Sequence, residues 1–252
     1  MHIGILCAMP QEIGKLLENL KILNERNFGD LKIISGQFSD ENKEENILVS
    51  VAWSGWGKVS AARAATRLLS NPYSGKNLDL ILFTGVAGAA ASSLKQWDVV
   101  IPNQLVQHDM DASPFFEKYV IPSLNQDKIS AKEELVEWTC NVLIDGLKKI
   151  NLDKFGSVKK GLIATGDKFI ADKNSIDYLS ANLPGLMAIE MEGAALAQVA
   201  SQENIPWLII RVVSDEADSS APQSFTDFLK DYEKYAWTLI KILLQNINKA
   251  PI

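Results

Sequence analysis

Four carboxylates of this 252-residue chain stand where short apolar runs end. Glu12 follows HIGILCA, Glu190 and Glu192 follow LMAI, and Asp215 ends WLIIRVVSD. Ionised carboxylates are costly to bury unless something pairs with them, so these positions require an explanation. Separated carboxylates can hydrolyse a glycosidic bond, because one acid protonates the leaving group while another carboxylate activates water beside a cationic sugar. A partly dry pocket can raise the pKa of such an acid until it holds its proton near neutrality.

Each of these residues also has a purely structural interpretation. Glu12 and Glu192 could favour a helix N-terminus through the helix dipole, and Ser214–Asp215 could form a cap or a turn. Their shared location favours a site, because open α/β sheets bind ligands beyond the carboxyl ends of their strands. The predicted loops GVAGAA (85–90) and ATGDKF (164–169) leave strands in the same direction, and their small residues let a ligand approach the backbone.

Alternating apolar runs and helical patterns must position these residues. Strands are predicted at 2–8, 31–35, 46–53, 78–84, 98–108 (as two strands), 158–165, 186–190 and 206–215. Helices are predicted at 10–20, 57–69, 132–150, directly after Glu192 and at 224–247, and a hairpin loop at 39–46. The alternation indicates an α/β fold, a single-domain three-layer sandwich with a central mixed, largely parallel β-sheet flanked by helices. No linker divides the chain, so we expect one domain over 1–252.

The composition is that of an ordinary globular protein, with 47% hydrophobic and 22% charged residues. A net charge of −6 and scattered basic residues argue against nucleic acid or an anionic membrane as a partner. No apolar run reaches the ~18 residues that a membrane helix needs. The N-terminus lacks the pattern of a signal peptide, so we expect a cytoplasmic protein. Cys7 and Cys140 lie in apolar segments without metal-ligand spacing, which predicts buried free thiols.

Two segments partly match phosphate-binding motifs, the dinucleotide-binding fingerprint and the P-loop, but neither matches completely. GVAGAA has Ala87 where G-x-G-x-x-G requires a glycine, which disfavours a dinucleotide-dependent dehydrogenase. WSGWGKV has Ala52 in place of the first P-loop glycine and no Ser or Thr after Lys58. Neither segment therefore predicts a phosphate cradle.

Eight blocks spread over nearly the whole chain carry a resemblance to a known family. They are IGILCAMPQEI, SGWGKVSAA, FTGVAGAA, LVQHDMDASPF, GLIATGDKFI, AIEMEGAALAQVA, RVVSDEAD and SFTDFL. In these blocks the sequence resembles the bacterial 5′-methylthioadenosine/S-adenosylhomocysteine nucleosidases of the nucleoside phosphorylase superfamily. The E-M-E-G-A and S-D-x-A-D blocks are the most specific. The resemblance implies a nucleoside phosphorylase-like fold and hydrolysis of an N-glycosidic bond to adenine and a thioribose sugar, without a metal or an organic cofactor.

The resemblance also implies roles for the acidic residues. Asp215 would donate a proton to N7 of adenine, and Glu12 would orient and deprotonate the attacking water. Glu192 would accept hydrogen bonds from the ribose hydroxyls. For Glu190, an ion pair with Arg211 and a direct contact with the ligand both stay open.

Other residues would surround the substrate, again by resemblance. Phe169 and Ile170 would hold adenine by stacking and by backbone hydrogen bonds. The residues that would position catalytic groups or line the base, sugar and alkylthio subsites are Met191, Ser214, Arg211, Ala8, Met9, Trp56, Val86 and Phe225. Phe115 would reach across a dimer interface near Ala112 and Pro122, which implies a homodimer with shared active sites.

Several alternatives stay open at this stage. A nucleoside phosphorylase would need an anion cradle, which Glu12 and the small number of arginines oppose. Hydrolysis of another 5′-modified nucleoside, such as aminofutalosine or 5′-deoxyadenosine, fits the same motifs. A non-catalytic nucleoside-binding protein would not need both an acid and a water-activating base. Val86 and Trp56 depart from residues common in the family, so the preference between methylthio and homocysteinyl substituents is also open.

Overall fold

The computed structural model describes residues 1–39, 46–70, 73–215 and 221–252. Its strands are β1 (His2–Cys7), β2 (Lys21–Phe28), β3 (Leu31–Phe38), β4 (Ile47–Trp53), β5 (Leu80–Ala89), β6 (Val99–Gln107), β7 (Lys128–Ser130), β8 (Val158–Thr165), β9 (Leu186–Glu190) and β10 (Trp207–Asp215). Its helices are α1 (Lys58–Ser70), α2 (Glu133–Lys149), α3 (Lys173–Asn182), α4 (Gly193–Gln202), α5 (Ala221–Tyr232) and α6 (Ala236–Asn246).

The described strands form one mixed sheet in the order β10-β6-β8-β9-β5-β1-β4-β3-β2, with β7 beside β6. β10 also pairs with β5, so β10, β6, β8, β9 and β5 form a closed ring from which the other strands extend. β1 is parallel to both β4 and β5, and β5 is parallel to β10. These parallel strands end at the same edge of the sheet, as the placement of Glu12 and Asp215 requires.

Helices cover both faces of the sheet, as the three-layer prediction requires. Side chains alternate along a strand, so successive residues of β1 enter different cores. Ile3 and Ile5 pack in the core that contains residues of α2 and α6, whereas Leu6 packs in the core that contains residues of α1 and α4. A smaller cluster lies under α3 and includes Leu179 and Leu183. The predicted α/β class and its layers are confirmed.

The predicted helix at 10–20 is wrong. The chain instead forms two short 3-10 turns, Pro10–Ile13 and Leu17–Asn19. Gly14 interrupts them with φ of 51°, a left-handed conformation that few residues other than glycine adopt. A β-carbon on Gly14 would lie 2.5 Å from the Glu233 carbonyl oxygen, so this turn packs directly against the segment between α5 and α6.

The predicted helix at 224–247 is in fact two helices, α5 and α6. The backbone N–H of Tyr235 donates to the carbonyl of Tyr232 at 2.8 Å, which tightens the chain between the helices into a three-residue turn. The turn lets both tyrosine rings contact Trp97, with centroids 6.1 and 5.8 Å away. Packing against a distant tryptophan is therefore the physical reason for the break.

Three other predictions need correction. The segment GVAGAA is not a loop, because β5 continues through it to Ala89 and pairs with both β10 and β9. The two strands predicted at 98–108 are one, β6, with an irregular register near Pro102. The polar strand β2, the short β7 and the helix α3 were not predicted.

The hairpin loop predicted at 39–46 lies almost entirely outside the described residues, although the strands flanking it, β3 and β4, are antiparallel neighbours. Cys7 and Cys140 are both buried and free, as predicted. Among the described helices, none combines the length and the apolar character needed to span a membrane.

Candidate active site

A cleft of about 590 Å³, its open mouth included, lies at the carboxyl ends of β1, β5 and β10. Its lining residues are Ala8, Met9, Glu12, Trp56, Val86, Ala87, Gly88, Lys168, Phe169, Ile170, Ile189, Glu190, Met191, Glu192, Ser214, Asp215 and Phe225. Of the residues expected at the site, Arg211 and Phe115 do not line it. The four carboxylates that follow apolar runs in the sequence therefore meet at one place in the fold.

Glu12 enters the cleft from the turn that follows β1, and its side chain is 1% exposed. Its Oε2 accepts hydrogen bonds from the backbone N–H groups of Ala8 (2.8 Å) and Met9 (2.9 Å), and its Oε1 accepts one from Val86 (3.1 Å). Burial raises the pKa of Glu12, while the charge of Arg211 and the three N–H groups limit the rise. The carboxylate is thus held in one orientation and is more basic than an exposed glutamate.

Arg211 lies fully buried on β10 behind the cleft and pairs with Glu190. Its guanidinium also lies 3.5 Å from Glu192 and stacks over the Phe83 ring at 4.3 Å. Burial alone would lower the pKa of Arg211, but the surrounding glutamates raise it, so the cation is permanent. Nε and Nη1 of this side chain have no hydrogen-bond partner. Two buried donors of the guanidinium are therefore left for other acceptors.

Glu190, the first of the two neighbouring glutamates in the E-M-E segment, has a structural role. Besides Arg211, its carboxylate accepts hydrogen bonds from the backbone N–H groups of Glu192 (3.0 Å) and Gly193 (2.7 Å), which begin α4, and it contacts the Thr165 hydroxyl. Thr165 in turn accepts a hydrogen bond from the Ala194 N–H at 2.9 Å. Glu190 is therefore the residue that fixes the start of α4 against β8 and β10.

Glu192 lies at the start of α4 and reaches across the cleft to α1. Its Oε1 accepts a hydrogen bond from the Gly57 N–H at 2.8 Å. Burial, reinforced by the charge of Glu190, raises the pKa of Glu192 to about 8. Three buried glutamates thus lie around one arginine, and the pKa of about 8 favours the protonated form of Glu192 at neutral pH.

Gly85 is a site residue that sequence reasoning missed. A β-carbon there would lie closer than 3.0 Å to Nη1 of Arg211 and to Oε1 of Glu12. The glycine in the middle of β5 therefore provides the room in which a buried cation and a buried carboxylate approach the same strand. The GVAG motif signals close approach to the backbone, but the groups that approach are the protein's own side chains.

Asp215 ends β10 opposite Gly88, just after an irregularity in the β10–β5 register. Its Oδ2 accepts a hydrogen bond from the Ser214 hydroxyl at 2.5 Å. The Ser214 carbonyl accepts a hydrogen bond from the Gln96 side-chain amide at 2.7 Å, a second contact that sequence reasoning did not find. The backbone that carries Asp215 is thus anchored from the turn before β6.

Aromatic rings form one wall of the cleft. Phe225, on α5, makes edge-to-face contacts with Trp56 (6.0 Å) and with Phe169 (5.9 Å). Trp56 is 53% exposed and stands at the mouth, whereas Ile170 is buried. Met9 and Met191 are half-buried and add flexible apolar surface. This wall suits a flat heterocycle and an apolar substituent.

Phe115 does not line the cleft of its own chain, and its ring is 88% exposed. Ala112 is half-buried and Pro122 is exposed. Over the residues that the structure covers, no group of three or more His, Cys, Asp or Glu side chains is arranged to hold a metal ion.

Comparison with known proteins places the whole chain in one family. The model of the phosphorylase superfamily matches residues 2–248. A 5′-methylthioadenosine/S-adenosylhomocysteine nucleosidase of Anoxybacillus flavithermus is 33% identical over 99% of this chain and 100% of its own length. The enzyme of the same description from Oceanobacillus iheyensis is 35% identical over 98% of this chain and 100% of its own length.

Solved structures agree with these relatives. The nucleosidase of Neisseria meningitidis in complex with methylthio-immucillin-A has a TM-score of 0.83 and 28% identity, covering 97% of this chain and 99% of that one. A futalosine hydrolase of Helicobacter pylori has a TM-score of 0.82 and 29% identity, covering 98% of each chain. The chain therefore belongs to the phosphorylase superfamily and, within it, to the 5′-methylthioadenosine/S-adenosylhomocysteine nucleosidase family.

Proposed function

We propose that this protein hydrolyses the N-glycosidic bond of 5′-methylthioadenosine and S-adenosylhomocysteine, releasing adenine and the thioribose product. The observation that carries the proposal is that one cleft gathers Asp215, Glu12 and Glu192, in a chain whose full-length relatives are described as nucleosidases for these substrates. The chain acts as one nucleosidase domain over 1–252, and it needs no metal or organic cofactor.

Departure of adenine is assisted by Asp215. Its carboxyl group donates a proton to N7, so the base leaves as a neutral molecule. The Ser214 hydroxyl, 2.5 Å from Oδ2, fixes the orientation of the carboxyl group. Phe169 stacks on the adenine, and Ile170 offers backbone hydrogen-bonding groups, which hold N7 towards Asp215.

Glu12 activates the attacking water. Its carboxylate lines the cleft beside Val86, where a water can donate a hydrogen bond to it. Burial strengthens the basicity of Glu12, and the three backbone N–H groups keep it from rotating away. Val86 contributes its N–H to Glu12 and has no hydroxyl to offer the water.

The ribose binds between Glu192 and Met191. Glu192 exchanges hydrogen bonds with the ribose hydroxyls, and Arg211 supports it from behind at 3.5 Å. The partial negative charge of the Glu192 carboxyl oxygens beside the ring stabilises the cationic sugar of the transition state. Ala8, Met9, Trp56 and Phe225 enclose the sugar and its 5′ substituent.

Two alternatives differ in what they require of this cleft. A phosphorylase would bring an anion next to Glu12, while Arg211 is already paired with Glu190 and close to Glu192. A hydrolase for another 5′-modified nucleoside, aminofutalosine or 5′-deoxyadenosine, is the second candidate, and the likeness to the futalosine hydrolase of Helicobacter pylori favours including it in the assay.

We also propose that the protein is a cytoplasmic homodimer. The exposed ring of Phe115 supports the dimer, because it would be covered if it reached the cleft of a second copy. The buried free thiols of Cys7 and Cys140 fit a reducing compartment. The functional partner is a small nucleoside, and we expect binding neither to nucleic acid nor to membranes.

The experiment that tests the proposal follows adenine release from each nucleoside. We expect turnover of 5′-methylthioadenosine and S-adenosylhomocysteine by the wild type and a loss of about 100-fold or more in kcat for Asp215→Asn. Asp227→Asn, on the exposed face of α5, is the matched control and should keep full activity. Normal turnover by Asp215→Asn would remove Asp215 as the acid, and no adenine from the wild type would remove the function.

A further inference from the structure

Lys168 is the one cation among the described residues that line the cleft, whose other charged groups are four carboxylates. Each of those carboxylates has a protein partner, as described above. Lys168 by contrast is exposed and forms no ion pair with a described residue, although its charge contributes to lowering the pKa of Asp172. It belongs to the GDKFI segment, in which only Phe169 and Ile170 have been given a role in binding the substrate.

The backbone on either side of Lys168 is fixed. The Asp167 N–H donates to Asp109 at 2.9 Å, and the Asp167 carboxylate accepts from the Lys58 N–H at 2.7 Å, at the start of α1. On the other side, the Phe169 ring packs edge-to-face on Phe225. The lysine side chain therefore extends from a segment whose neighbouring residues are held by contacts with other parts of the cleft.

The same contacts place the segment that carries Lys168 close to the residues proposed to bind the sugar. Asp167 binds the segment Gly57–Lys58, and Gly57 donates to Glu192, the proposed ribose anchor. Trp56 precedes that segment and joins Phe225 and Phe169 in the aromatic wall. A substituent on the sugar beside Glu192 would follow this aromatic wall, and Lys168 lines the same cleft.

We infer that Lys168 is a specificity-determining residue that binds a carboxylate carried by the 5′ substituent of the nucleoside. The inference rests on the proposed function, because it assigns the substituent of the same substrate. A methylthio group gains nothing from this cation. A homocysteinyl group carries a carboxylate, which the acidic cleft would otherwise repel. Lys168 therefore selects for substrates with an acidic tail.

Two nucleosides of equal size isolate this effect. 5′-Deoxyadenosine carrying a 3-carboxypropylthio group has the acidic end of the homocysteinyl tail without its ammonium group. The matching carboxamide is uncharged and has the same shape. The quantity measured is the ratio of kcat/KM for the acid to kcat/KM for the amide. This ratio removes any effect of a variant on the chemical step common to both compounds.

We expect the wild type to prefer the acid by about three- to fivefold, the effect of a partly exposed ion pair. Lys168→Met should bring the ratio to about one or below, Lys168→Glu should lower it further, and Lys168→Arg should retain the preference. Raising the salt concentration should lower the wild-type ratio towards that of Lys168→Met, because ions screen an exposed pair. Lys173→Met, at an exposed position on α3 where Lys173 lies 3.9 Å from Asp177, is the control and should behave as wild type.

An equal ratio in the wild type and in Lys168→Met would overturn the inference. Absence of adenine from both compounds and also from 5′-methylthioadenosine, with folded wild-type protein, would instead remove the proposed function. In that case, calorimetry on the same variants gives the affinities of the acid and the amide. The ratio of these two affinities then tests the inference about Lys168 in the same way. The two failures are therefore distinguishable.

Discussion

Replacing Gly85 by alanine tests how tightly the site is built around its buried arginine. A β-carbon at this position would come closer than 3.0 Å to Nη1 of Arg211 and to Oε1 of Glu12, whereas ordinary contact begins at about 3.4 Å. Both atoms belong to buried side chains, so neither can swing into solvent. Each would have to retreat by at least about 0.4 Å, the difference between those two limits.

The magnitude follows from the bonds that such a retreat strains. Glu12 is held by three backbone N–H groups at 2.8 to 3.1 Å, and Arg211 is held by its pair with Glu190. Hydrogen bonds to charged groups contribute about 1.5–3 kcal/mol each. Losing one or two of them predicts that Gly85→Ala lowers the free energy of unfolding by about 2–5 kcal/mol. Because reactive groups shifted by about 1 Å can cost on the order of 100-fold in rate, we expect a loss in kcat approaching that size.

Gly161→Ala provides a matched control. Gly161 also lies in a strand, and a β-carbon there would come equally close to a neighbour, but that neighbour is the flexible, half-buried Met187 side chain. Urea unfolding and adenine release should show a small loss of stability and nearly normal kcat for the control. A Gly85→Ala protein that matched Gly161→Ala in both measurements would refute the argument that this glycine accommodates Arg211 and Glu12.

Three further predictions concern the cleft. Because Glu192 has an ordinary pKa of 4.5 and a folded-state pKa of about 8, its contribution to stability is complete below pH 4.5 and is lost as the pH rises through 8, by up to about 5 kcal/mol. Urea unfolding of Glu192→Gln should show a flatter pH dependence, and an unchanged slope would contradict this assignment. Glu12→Gln cannot deprotonate water and should lose about 100-fold or more in kcat at similar KM. A raised KM with unchanged kcat in steady-state kinetics would count against this role of Glu12. Trp56→Ile removes the edge-to-face contact with Phe225. It should change the ratio of kcat/KM for methylthioadenosine to kcat/KM for adenosylhomocysteine by about threefold in favour of the larger substrate. A ratio equal to that of the wild type would reject this role of the indole.

The sequence was sufficient to locate the acidic residues because each follows an apolar run. Strands β1 and β10 consist of buried residues up to Cys7 and Asp215, so their ends are visible in the sequence as a change from apolar to polar residues. The fold class follows from the same alternation of strands and helices. The pairing of Glu190 with Arg211 was one of two open alternatives, since sequence cannot say which of two adjacent glutamates faces a buried cation.

What sequence could not predict depends on contacts between distant segments. The break between α5 and α6 arises where both ends meet Trp97, more than a hundred residues earlier. The turn at Gly14 packs so closely on the Glu233 carbonyl that a β-carbon would not fit there. The contact of Gln96 with the Ser214 carbonyl likewise has no local signal. In each case the local sequence indicates which residues are polar or apolar, but it does not indicate which distant residue they contact.

The most direct test of the central claim asks what attacks the sugar when adenine leaves. The purified protein is given 5′-methylthioadenosine in water labelled with heavy oxygen, with and without inorganic phosphate, and the sugar product is analysed by mass spectrometry. We expect free methylthioribose that carries the label, formed at the same rate in both conditions. A methylthioribose 1-phosphate that forms only when phosphate is present would contradict it, and Glu12 would then no longer be the group that activates water.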